Sequence, residues 1–147
     1  MNASCRVGLW AAVVVLSTSG LAACGGGSDA ARARTTACRT YLVGGGAGDT
    51  ALAADLLRIT GAMGTDAGVG YDAGSIKVAL VDIRAGAATA GRTGGLSDAD
   101  FAVFEAVAAA ATGVERALSP VSDTEGLDQS GATALDTAVK GVHKLCG

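Results

Sequence analysis

The groups able to do chemistry in this chain are few: four cysteines at positions 5, 24, 38 and 146, one histidine at 143, and scattered carboxylates. His143 and Cys146 have an H-x-x-C spacing, but structural zinc takes four nitrogen or sulfur ligands and the chain has no second histidine. Serine-type hydrolysis would have to route its proton through His143, and there is no Gly-x-Ser-x-Gly turn to present a nucleophile. Asp98 and Asp100 are close enough in sequence for an acid–base pair or a cation site. They follow Ser97 at an expected helix start, however, where the positive end of the helix dipole is sufficient reason for both. The run Gly44-Gly45-Gly46-Ala47-Gly48 has the backbone freedom of a phosphate-cradling loop, yet Asp49 and Thr50 follow it where Gly-Lys-Ser/Thr is needed. A turn between helices is the reading that remains.

The N-terminus carries the most specific signal. Arg6 and the amino terminus make a weakly positive start, Val7 to Leu16 is almost unbroken apolar sequence, and Ser17-Thr18-Ser19-Gly20 loosens it before Leu21-Ala22-Ala23-Cys24. The last third is small and polar and no cationic flank follows, as in a cleaved leader rather than an anchor helix. Leu, two small residues and Cys resemble the lipobox of bacterial lipoproteins, position for position. The resemblance covers residues 1–24 only. It implies diacylglycerol in thioether linkage to Cys24, cleavage after Ala23, and a protein held by its acyl chains on the extracytoplasmic face of the cell membrane.

Removing the leader, with its single cation Arg6, leaves 124 residues and a side-chain charge near −4. That size suits one domain, and the acidity argues against a nucleic-acid partner, which calls for a basic face. With Cys5 gone and Cys24 acylated, Cys38 and Cys146 remain as a single pair in an oxidising compartment, so a disulfide between them is expected. Two buried free thiols are the rival reading. Residues 24–29 read as the lipidated cysteine and a glycine-rich tether, which at about 5–6 Å × √n keeps the domain within roughly 10–15 Å of the bilayer.

The rest, 30–147, must position whatever the protein uses. Helix-period stripes run through it: Cys38 and Leu42 on a first helix; Leu52, Leu56, Ile59 and Met63 on a second; Ile76, Leu80, Ile83, Ala87 and Ala90 on a third. Phe104, Val107, Ala111, Val114 and Leu118 mark a fourth, with Phe101 and Ala108 beside them. Leu127, Gly131, Leu135, Ala138, Val142 and Leu145 mark a fifth. Ser122-Asp123-Thr124-Glu125 forms a capping box ahead of that last helix, and Asp49 and Asp72 read as caps of others. Gly68 to Asp72 has the glycines and aspartate of a calcium-binding repeat, but such sites need stacked copies. The expected fold is all-α, an antiparallel four- to five-helix bundle closed by one disulfide.

No catalytic constellation, metal ligand set or cofactor motif stands out in this sequence. The reading is a non-catalytic binding or interaction module at the cell envelope, its partners the membrane lipid through Cys24 and an unidentified envelope protein or wall component. A carrier of a lipid or other apolar molecule is the alternative, and an enzyme fits less well. Arg32, Arg34 and Arg39 flank Cys38, and Lys140 and Lys144 precede Cys146, so a crosslink would gather five cations at a membrane-proximal end. Asp49, Asp66, Asp98, Asp100 and Glu105 would then leave the outward surface acidic.

Overall fold

The computed structural model describes residues 26–62, 72–118 and 127–147. Among them the chain forms α1 (Gly26–Gly44), a 3-10 turn (Gly46–Gly48), α2 (Asp49–Ala62), α3 (Ala73–Gly91), α4 (Asp98–Ala117) and α5 (Gln129–Cys146), with no strand. The all-α bundle closed by a disulfide is what the periodicity predicts, and Cys38 is bonded to Cys146. The leader, Cys24, Met63, the Gly68–Asp72 motif except its last residue, and the Ser122–Glu125 box lie outside the described residues.

The first column of the bundle is broken. α1 packs mainly on α3, and after the glycine turn α2 packs mainly on α5. Close contacts fix the directions: Gly44 lies beside Gly86 and Ala33 beside Gly95, so α1 and α3 are antiparallel. Gly131 lies against Val114 and Gly141 faces Val103, which sets α5 antiparallel to α4. The turn itself has room for glycine alone at two positions. Gly45 has φ 149°, and a Cβ there would overlap the Asp82 carbonyl, while a Cβ on Gly46 would lie 2.5 Å from the Tyr41 ring.

Three helix starts are capped by side chains. The Asp72 carboxylate accepts from Gly74 N at 2.9 Å, Ser97 Oγ from Asp100 N at 3.1 Å, and the Asp128 carboxylate from Gly131 N at 2.7 Å. These bonds hold two carboxyls below the usual aspartate range, Asp72 chiefly through the Ser75 hydroxyl and Asp128 chiefly through the Gly131 N–H. α1 begins at Gly26, four residues before the expected Ala30, and so takes in most of the expected tether.

The stripes of α3 and α4 are buried as read: Ile76, Leu80, Ile83, Ala87 and Ala90, then Phe104, Val107, Ala111, Val114 and Leu118. Others shift. On α1 the buried face is Ala33, Ala37, Cys38 and Tyr41, and Leu42 turns outward because Tyr41, three residues from Cys38, takes the core position. On α2 the core takes Ala53 and leaves Leu52 partly buried. On α5, which starts at Gln129, Ala132 and Val139 fill the interior, leaving Ala138 and Leu145 at its edge. Phe101 stays 41% exposed. Among the described residues the one aromatic pair, Tyr41 and Phe104, packs with ring centroids 6.0 Å apart and planes at 59°.

Candidate functional site

Where α1, the glycine turn, α2 and α5 meet, the core holds a polar cluster built on Asp49. This residue was expected as a helix cap and part of an acidic surface, but it is 1% exposed. The turn folds back so that α2 begins under Tyr41, eight residues earlier, and against the last turn of α5. Tyr41 donates its hydroxyl to Asp49 Oδ2. Asp49 Oδ1 accepts from Thr50 N at 2.6 Å and from Thr50 Oγ1 at 3.1 Å. His143 Nε2 lies 2.9 Å from that same oxygen and 3.2 Å from Thr50 Oγ1. Both carboxylate oxygens are therefore satisfied, which an aspartate in an apolar core requires.

The geometry decides what this cluster can do. In a nucleophile–histidine–carboxylate relay the nucleophile and the acid sit on opposite ring nitrogens. Here Thr50 and Asp49 share Nε2, so the imidazole cannot pass a proton from one to the other. What the cluster does is tie three elements to one carboxylate. The disulfide adds a fourth link one helical turn beyond His143, holding α5 to α1. Among the described residues no group of three or more His, Cys, Asp or Glu side chains is placed to hold a metal ion.

Burial first, and then the hydrogen bond to Asp49 and its negative charge, push the Tyr41 hydroxyl far above the usual phenol range. A raised native value means the folded protein keeps a proton that an unfolded tyrosine releases near pH 10, so this contribution is intact below about pH 10 and is lost as pH rises further. With Tyr71→Phe removing the only other tyrosine, phenolate absorbance should stay absent until helical circular dichroism collapses. A phenolate signal at ordinary alkaline pH with helicity intact would refute the assignment.

Three of the five cations expected to cluster are paired with carboxylates. Arg34 Nε pairs with Asp100 Oδ2 at 3.1 Å, and Asp100, expected at the surface, is 4% exposed. Lys140 pairs with Asp136 at 2.7 Å, and Arg32 with Asp29 at 3.8 Å. Of these five, Arg39 and Lys144 lack a carboxylate among the described residues. The disulfide also lies well above the start of α1: twelve residues separate Gly26 from Cys38, roughly 18 Å at 1.5 Å per residue. The α3–α4 turn, with Gly95 against Ala33, is the part of the bundle nearer to Gly26.

The sequence reading missed the Tyr41–Asp49–His143 cluster because capping explained Asp49 and dipole complementarity explained His143, each locally sufficient. The available cue was Tyr41, at helical spacing from Cys38 and thus on a core face, where its hydroxyl needs a partner. Comparison of the chain with protein-family models, with curated proteins and with solved structures yields no match.

Proposed function

We propose that this chain is a lipid-anchored protein of the extracytoplasmic membrane face that works as a non-catalytic binding module. The observation that carries the reading is Leu21-Ala22-Ala23-Cys24 at the end of an apolar leader. Attachment falls to the acyl chains on Cys24: each buried methylene contributes about 0.8 kcal/mol, one chain holds marginally and two or more hold stably. The bonded Cys38 and Cys146 agree with an oxidising compartment. The partner is an envelope protein, a wall component or a small ligand.

Expression in a lipoprotein-processing host with a clickable fatty acid tests the anchor. Label on the membrane-bound chain is expected, with loss of both label and membrane retention in Cys24→Ser. Label that survives that substitution would overturn the assignment.

A further inference from the structure

Between the first half of α3 and the last turns of α4 lies a groove of about 530 Å³ whose walls combine two chemistries. Val78 and Val81, one turn apart on α3 and off its buried stripe, are 63% and 38% exposed. Around them stand Lys77, Arg84 and Arg116, against the acids Asp82 and Glu115. The local balance is thus positive in a chain whose overall charge is −3.

Two of the three cations are not spent on the protein. Neither Lys77 nor Arg116 has an ion-pair partner among the described residues. Arg84 is ion-paired with Glu115, its Nε 3.4 Å from Oε2 and without a hydrogen bond, while its side chain as a whole is 42% exposed. That pairing leaves the part-exposed Arg84 guanidinium open to a second acceptor, beside the unpaired Lys77 and Arg116. A guanidinium fork answers carboxylate or phosphate better than any neutral acceptor.

We propose that this groove binds a single-chain anionic amphiphile, its carboxylate or phosphate head among Lys77, Arg84 and Arg116 and its aliphatic body along Val78 and Val81. The volume falls in the range of about 300–1,000 Å³ typical of small-molecule sites. Two valines one turn apart match an alkyl chain, whereas a docked protein helix would need apolar anchors over several turns. The place also fits a ligand taken from outside the anchoring leaflet. Thr112 lies twelve residues beyond Asp100, which pairs with Arg34 partway along α1, so the groove sits roughly 18 Å further from Gly26 along α4. The proposal deepens the binding-module reading by naming a ligand class, and it does not require Cys24.

The test uses the full chain in the membranes of its expression host. Photoreactive diazirine analogues of dodecanoate and of dodecyl phosphate are crosslinked, and adducts are located by peptide mass spectrometry. Adducts are expected on the peptide containing Val78 and Val81, displaced by excess dodecanoate and not by dodecanol or dodecylamine; the better of the two labels names the head group. Joint Lys77→Gln, Arg84→Gln and Arg116→Gln replacement should lower adduct yield about tenfold, as loss of three part-exposed charge contacts implies. Val78→Ser with Val81→Ser should lower it too, with circular dichroism unchanged for both variants. Displacement of the label by dodecanol as readily as by dodecanoate, adducts spread over all helices, or no adduct on the peptide containing Val78 and Val81 would overturn the proposal. A failed anchor would instead appear as the chain in the soluble fraction with groove labelling retained.

Discussion

Joint replacement of Cys38 and Cys146 by serine should cost roughly 4 kcal/mol of stability, the largest effect of any substitution outside the apolar core. The two residues are 108 apart in sequence. In the chain-entropy model, freeing a loop of that length returns about 4–5 kcal/mol of freedom to the unfolded chain, and residual unfolded structure usually lowers the figure. Set against a total of about 5–15 kcal/mol, that is a large share. Each kcal/mol moves the melting temperature of a domain this size by roughly 3–6 °C. Thermal melts in a Cys24→Ser background should therefore show a fall of about 15 °C, and reductant should reproduce it in the parent. A fall of only a few degrees would mean that the reduced chain stays nearly as constrained as the oxidised one.

Asp49→Ala should be the most damaging single polar substitution, at about 2–4 kcal/mol, because it strands the Tyr41 hydroxyl in the core and removes the acceptor of Thr50 N. His143→Ala should cost under about 1 kcal/mol, since that side chain is 44% exposed and water can replace it. Removing both buried partners should hurt less than removing one, so Tyr41→Phe with Asp49→Ala is expected to be more stable than Asp49→Ala alone. Urea unfolding of the four proteins reads all of this. Equal losses for His143→Ala and Asp49→Ala would mean that the cluster acts through the histidine and not through burial of the tyrosine.

How far such features could be read from the chain depended on how much information was local. α3 and α4 were legible because Ile76 to Ala90 and Phe104 to Leu118 repeat at spacings that only one helix face satisfies. α5 was less so, for its alanines and glycines fit several faces, and the packing of Ala132 and Val139 chose among them. Tyr41 displaced Leu42 from the core because its ring fills the space beneath the glycine turn while its hydroxyl reaches Asp49, a long-range pairing that no periodicity encodes. Asp100 follows the same logic, its partner Arg34 lying 66 residues away. The groove had a local trace: Val78 and Val81 fall off the α3 stripe beside Lys77 and Arg84, an apolar pair on a face that should have been wholly polar.

The broken first column divides the labour of cooperativity. In an unbroken bundle the first helix would couple both neighbours along its whole length, and any opening would involve everything. Here α1 shares its apolar face mainly with α3, and α2 shares its own mainly with α5, so the α2–α5 half meets the remainder chiefly through α4, with smaller contacts to α1 and α3, the Asp49 cluster and one covalent bond. Such a layout defines two partly independent folding units, of the kind that open sub-globally at less than the full cost of unfolding. The crosslink from Cys38 to Cys146 spans their boundary, so in the oxidised chain the end of α5 stays bound to α1 even when α2 lifts away.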